Sequence, residues 1–152
     1  MSIIFNNNIP FLEEQNVLEI IEKIPTPFYL YSQKKIVDSY TNLKSALKKN
    51  IFYSVKANSN QAIISLIKSL DAGIDVVSME ELHRALKAYV NPEKIIFEGV
   101  GKSKEGLEYA IDKNIRQINV ESIQEIELIE NISSNINKIP SIGLRVNPNI
   151  NS

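Results

Sequence analysis

Residues 51–60 read Ile51-Phe52-Tyr53-Ser54-Val55-Lys56-Ala57-Asn58-Ser59-Asn60. The β-branched and aromatic run at 51–55 predicts a buried strand. Lys56 falls where that strand should end, and Asn58-Ser59-Asn60 brings turn and N-cap chemistry for the helical pattern that follows. An amine at the carboxyl end of a parallel strand sits where α/β folds place their reactive groups. Desolvated there, an amine can act as a nucleophile toward an aldehyde. A lysine that merely snorkels to the surface fits the same position, so the rest of the chain has to decide.

Outward from this stretch the same unit recurs. Candidate strands lie at 51–55, 74–77, 94–97, 116–120 and 142–146, with centres 20 to 26 residues apart. Between them run four helical patterns: Ile63, Ile64, Ile67 and Leu70; Leu82, Ala85 and Leu86; Leu107, Ala110 and Ile111; Ile123, Ile126 and Ile129. Ser122 and Glu125 form a capping box that opens the last. One strand and one helix per period predicts repeated βα units with right-handed crossovers. Leucine-rich repeats share the period, but their Leu-x-x-Leu-x-Leu pattern is missing.

Two architectures then compete. A doubly wound sheet calls for a glycine-rich phosphate loop after its first strand, where Lys56-Ala57-Asn58 stands instead. Periodicity alone divides evenly between that sheet and part of a barrel. The strand ends favour the barrel. Each brings polar residues to or just past its carboxyl end: Lys56 and Asn58, Asp75 and Ser78, Glu98, Asn119 and Glu121, Arg145 and Asn147. In a barrel these ends share one rim, where an amine, carboxylates and a guanidinium can meet a small anionic or zwitterionic ligand with a reactive carbonyl. The expected fold is α/β, a partial TIM-type (β/α)8 barrel of about five parallel strands with intervening helices.

Asn6-Asn7-Asn8 is polar punctuation, and Val17-Leu18-Glu19-Ile20-Ile21 fits a short helix or a strand. Pro25-Thr26-Pro27 is a stiff break before the strand-like aromatic run Phe28-Tyr29-Leu30-Tyr31. Ser32 then caps an amphipathic helix striped by Ile36, Tyr40, Leu43 and Leu47, with Lys44, Lys48 and Lys49 as a solvated face.

Composition narrows the function classes. The 152 residues suffice for one domain with a sizeable core. A net charge of −1 gives no electrostatic footprint for nucleic acid or an anionic membrane. With no cysteine, disulfides, thiolate metal sites and cysteine nucleophiles are excluded, and a single histidine rules out a His-cluster zinc site made by this chain. No basic n-region or membrane-length apolar stretch is present, so the expected location is cytoplasmic.

Taken in order, six segments resemble one known family. They are Pro25-Thr26-Pro27-Phe28-Tyr29-Leu30-Tyr31, Tyr53-Ser54-Val55-Lys56-Ala57-Asn58-Ser59 and Gly73-Ile74-Asp75-Val76-Val77-Ser78. Pro92-Glu93-Lys94-Ile95-Ile96-Phe97-Glu98-Gly99-Val100-Gly101-Lys102, Ile118-Asn119-Val120-Glu121-Ser122 and Leu144-Arg145-Val146-Asn147-Pro148 complete the set. The family is the group IV pyridoxal-phosphate-dependent decarboxylases, alanine-racemase-like barrels, and the branch is that of the diaminopimelate decarboxylases. The resemblance implies that Lys56 is the covalent anchor of pyridoxal 5′-phosphate, that Asp75 lines the pocket beside it, and that Arg145 holds the cofactor's phenolic oxygen. By spacing alone Asp75 equally fits a carboxylate on a helix N-terminal amide, and Arg145 a pairing with Glu121 or Glu98. It implies a small amino-acid substrate, meso-diaminopimelate decarboxylated to L-lysine, and a homodimer for the full-length enzyme.

By the same resemblance residues 1–30 pack with a C-terminal β-domain, and 31–152 form the first part of the cofactor-binding barrel. The family's remaining cofactor contacts lie beyond residue 152, so the expectation is an N-terminal portion with little decarboxylase activity alone. A non-catalytic cofactor-binding module and a regulatory partner of a full-length decarboxylase are the alternatives. Glu81 is expected to support its own helix, His83 to lie on the surface, and Gly99-Val100-Gly101 to form a tight turn rather than a phosphate cradle. Met79-Glu80-Glu81 and Tyr89 depart from glycine-containing family patterns, at positions expected to tolerate the change on a helix.

Overall fold

Asn7 and Asn8 both adopt positive φ, 48° and 63°, the backbone of a two-residue type I′ hairpin, and asparagine tolerates that region better than most residues. They join strand β1 (Ile3–Asn6) to β2 (Ile9–Leu12), and β3 (Gln15–Asn16) completes an antiparallel meander. The computed structural model describes residues 3–148, and the chain divides after Lys48 into two compact units.

In the first unit the ambiguous 17–21 segment is helical. Helix α1 (Val17–Lys23) is capped by Asn16, whose side chain accepts from Leu18 N. Helix α2 (Gln33–Leu47) starts on Ser32 as expected, yet none of it is fully buried, and Leu43 and Leu47 remain about half exposed at 47% and 53%. The strand expected at Phe28–Tyr31 is corrected: among the described residues nothing pairs with it, and Tyr29 and Tyr31 stack on each other in the open. A strand pattern without a partner strand has no ladder to join.

The second unit is the repeat. Its parallel strands are β4 (Phe52–Ser54), β5 (Gly73–Val76), β6 (Ile95–Phe97), β7 (Gln117–Val120) and β8 (Ile142–Leu144). They lie side by side in sequence order. Helices α3 (Gln61–Ser69), α4 (Met79–Lys87), α5 (Lys104–Asp112) and α6 (Ile123–Ile136) alternate with them, each packed on the next. A doubly wound sheet reverses its strand order at a switch point and covers both faces. Here the order never reverses, and only one face is sealed. Ile74, Val76, Ile95, Phe97, Ile118 and Val120 are buried, whereas Ser54, Asp75, Ile96, Gln117 and Asn119 on the other face are only half-buried. That is the layout of a barrel wall.

Each helix is delimited by the same two devices. Asn60, Ser78, Ser103 and Ser122 accept from first-turn amides at the N-termini. Asp71, Tyr89, Asn114 and Asn137 turn the chain out through positive φ at the other end. The predicted apolar stripes form the core apart from Leu70 and Leu86, which are half-buried, and with a correction on α6. There Ile123 is 71% exposed and the buried pair is Ile129 and Ile132. Residues 123 and 132 are nine positions apart, about 180° around a helix at 3.6 residues per turn, so packing had to choose between them.

Tyr89 is also corrected. It is not on the helix but one residue beyond the Ala88 cap, at φ 58°, in a Schellman turn closed by Tyr89 N to Leu86 O (2.9 Å) and Val90 N to Ala85 O (3.1 Å). Its side chain is 85% exposed, so it gains little packing for that conformation. Tyr89→Gly is therefore expected to stabilise the chain by about 1 kcal/mol, raising Tm by a few degrees in a thermal melt. An unchanged or lower Tm would contradict this account of the turn.

Candidate active site

The strand's end at residue 54 creates the site's first feature. Instead of continuing to Val55, the chain enters a single 3₁₀ turn, Val55–Ala57, with Val55 fully buried as its anchor. Tyr53 Oη donates to Asn58 O at 2.9 Å, Asn58 Oδ1 takes the Asn60 amide at 3.0 Å, and Asn60 caps α3. Lys56 is thus held between two fixed points at the carboxyl end of β4. Its side chain is exposed rather than enclosed, which corrects the expectation of a desolvated amine.

Asp75 stands beside it on β5. The parallel register pairs Ser54 with Asp75, and Ser54 Oγ donates to Asp75 Oδ2 at 2.8 Å. The other oxygen, Oδ1, is buried without a hydrogen-bond partner. Burial pushes the Asp75 carboxyl above the usual carboxylate range; the Ser54 hydrogen bond opposes this, the charge of Glu98 adds to it, and the nearby Lys56 charge opposes it.

A carboxyl whose pKa is raised by folding contributes stability below the unfolded aspartate value, about 3.9, and loses that contribution as pH rises through the folded value. Once pH has passed the folded value, the ionised Asp75 costs stability. Asp75→Asn, which keeps an acceptor for Ser54, is expected to melt higher than the parent at neutral pH, with the gap closing below the ordinary aspartate range. A lower Tm for Asp75→Asn at neutral pH would reverse the argument.

Further along the same face, Glu98 follows β6, and its carboxylate accepts from Asn119 Nδ2 at 2.6 Å. Gln117 Nε2 donates to Asn119 Oδ1 at 2.6 Å, which settles the direction of the Asn119 amide and points its donor at Glu98. Gly143, paired with Asn119 across the β7–β8 ladder, leaves room for this chain; a Cβ there would collide with Asn119 Oδ1 and Gln117 Nε2.

Arg145 lies at the far edge. Its guanidinium reaches Glu121 Oε1 at 3.3 Å, and its side chain is 58% exposed. Four strand spacings separate β8 from β4, about 19 Å along the sheet. The fold thus brings Lys56 near enough for its charge to act on Asp75, and sets Arg145 on Glu121 instead. Glu81 supports its helix as expected, with its carboxylate taking Val77 N at 2.9 Å, and His83 is exposed. Ser122 Oγ accepts Glu125 N at 3.2 Å, the first half of the expected capping box, while the Glu125 carboxylate reaches one residue behind the cap to Glu121 N at 2.8 Å. Gly99, at φ 109°, makes the tight turn predicted there.

Lys102 escaped the sequence reading. Its side chain is fully buried, and Nζ donates to Gly99 O at 2.6 Å and to Glu125 Oε1 at 2.9 Å, lying 5.8 Å from the Phe97 ring centre. A signal was available: a lysine just before the Ser103 cap faces the positive end of a helix dipole, which favours it only when an acid compensates. Among the described residues no group of His, Cys, Asp and Glu could hold a metal ion.

Comparison with known proteins gives the chain's family. Residues 33–152 match the family model "Pyridoxal-dependent decarboxylase, pyridoxal binding domain". A diaminopimelate decarboxylase from Helicobacter pylori is 44% identical over 140 residues, covering 90% of this chain and 35% of the relative. One from Campylobacter jejuni is 43% identical over 137 residues, covering 88% and 34%. The crystal structure of diaminopimelate decarboxylase from M. jannaschii with L-lysine superposes with a TM-score of 0.93 at 34% identity, covering 99% of this chain and 37% of that one. The chain spans about a third of the length of the relatives it matches.

Proposed function

We propose, for a chain that belongs to the pyridoxal-dependent decarboxylase family through its pyridoxal-binding domain, that it forms the cofactor-anchoring part of an enzyme converting meso-diaminopimelate to L-lysine. The observation that carries this reading is Lys56, fixed just past the end of β4 with Asp75 beside it. The substrate assignment is supported by relatives named diaminopimelate decarboxylase and by solved relatives in complex with L-lysine.

The residues present suit pyridoxal phosphate. An amine on the rim, a buried carboxylate oxygen still lacking a partner and a polar sheet face offer what an aldehyde-bearing, hydrogen-bonding ring needs. Lys56 would hold it covalently and Asp75 would line the space beside the amine, while the family resemblance assigns Arg145, here paired with Glu121, to the phenolic oxygen. When bound, the cofactor supplies an electron sink for the pair left on the substrate α-carbon as carbon dioxide departs. The chain's own part is positional. Ser54 restrains one oxygen of Asp75, and the Gln117–Asn119–Glu98 chain holds a second carboxylate near it.

Titrating the 152-residue chain with pyridoxal phosphate tests the reading: a saturable visible absorbance band is expected, and its absence would overturn cofactor capture. The exposed Lys56 favours a second reading, a cofactor-binding module without catalysis. Because nothing among the described residues encloses the amine, this chain alone is expected to release little or no carbon dioxide from meso-diaminopimelate. Robust release would refute that expectation. We place the working enzyme in the cytoplasm as a homodimer. Among the described residues no helix is long and apolar enough to cross a membrane, and sedimentation of the full-length enzyme would test the assembly.

A further inference from the structure

We propose that Ser54 is a positioning residue of the Lys56 site: its hydroxyl pins Oδ2 of Asp75 and leaves Oδ1 as the oxygen available to Lys56 or to a bound ligand. The proposal rests on the functional reading above, and it adds to that reading a residue two positions before the amine. The two side chains meet because Ser54 and Asp75 are register partners on neighbouring parallel strands, projecting from the same face. The bond is 2.8 Å from Ser54 Oγ to Asp75 Oδ2, and Oδ1 is buried without a partner.

The last torsion of an aspartate is broad and nearly two-fold, so an unrestrained carboxyl exchanges its oxygens freely. A single donor on one oxygen breaks that equivalence. The groups facing Asp75 are Ser54 on β4, Lys56 in the turn after it, and Glu98 after β6, itself held by Asn119. Ser54 is the one neutral donor among them. It stabilises the ionised carboxyl, in opposition to burial and to Glu98.

The test compares Ser54→Thr with Ser54→Val, a pair of equal shape that differs in the hydroxyl alone, with Ser54→Ala as a third variant. The first readout is the side-chain ¹³C titration of Asp75 in the ligand-free 152-residue chain. The Asp75 midpoint is expected to rise in Ser54→Val and Ser54→Ala and to stay at the parent value in Ser54→Thr. The second readout is the affinity for pyridoxal phosphate, expected to weaken about tenfold in Ser54→Val and Ser54→Ala and to recover in Ser54→Thr. An Asp75 midpoint unmoved in Ser54→Val, or moved equally in Ser54→Thr, would overturn the positioning role. Failure of the parent chain to take up pyridoxal phosphate would sink the functional reading instead, while the ligand-free titration would still judge Ser54.

Discussion

Lys56→Ala is expected to abolish the visible absorbance band that the chain acquires with pyridoxal phosphate, and Lys56→Arg to abolish it equally. The nucleophile toward the aldehyde is a neutral amine. Alanine removes it, and arginine keeps the positive charge but stays protonated at any working pH, so charge alone does not rescue capture. Lys56 is exposed, and both substitutions should leave stability within about 0.5 kcal/mol of the parent, so the loss cannot be traced to unfolding. Borohydride reduction followed by peptide mapping gives an independent check, with the label on the peptide containing Lys56 in the parent and absent in both variants. A band of undiminished amplitude in Lys56→Ala, or a label on Lys102 or Lys104, would relocate the site and remove the basis for the function proposed.

The second large effect concerns the buried ion pair behind the rim. Glu125→Ala is expected to destabilise the chain by about 3 kcal/mol, because it strands the fully buried Lys102 ammonium with a single carbonyl partner. It also deprives Glu121 N of its acceptor. Lys102→Met should cost far less, about 1 kcal/mol. A thioether chain of similar length can lie against the Phe97 ring, and the Glu125 carboxylate keeps the Glu121 amide. Urea denaturation of both single variants and the double variant measures the difference. If Glu125→Ala proved no more costly than Lys102→Met, the pair would be ornamental. The asymmetry matters for the site because Glu125 anchors the backbone of Glu121, whose side chain takes Arg145.

Much of the site was legible because its placement follows from chain order. A βα repeat puts every strand's carboxyl end on one rim, so Lys56, Asp75, Glu98, Asn119, Glu121 and Arg145 could be named without coordinates. Their partners were only partly so. Spacing offered Arg145 either the cofactor or a pairing with Glu121 or Glu98, and the neighbouring strand's Glu121 is the one it meets. Ser54 looked like one more strand residue until the β4–β5 register set it against Asp75. Register is a property of two strands at once, and no pattern within one of them reports it.

By itself the sequence determined the local grammar of this protein. The alternating strand and helix periods, the Asn and Ser caps and the apolar stripes of α3, α4 and α5 are consequences of backbone and side-chain preferences acting within a few residues. Only the tertiary structure decided which face of α6 is buried, that Phe28–Tyr31 is no strand, that Lys102 is enclosed and Lys56 is not, and which carboxylate each cation meets. The reason is physical: burial and pairing are settled by what a residue packs against, and those neighbours come from strands and helices about 20 residues or more away along the chain.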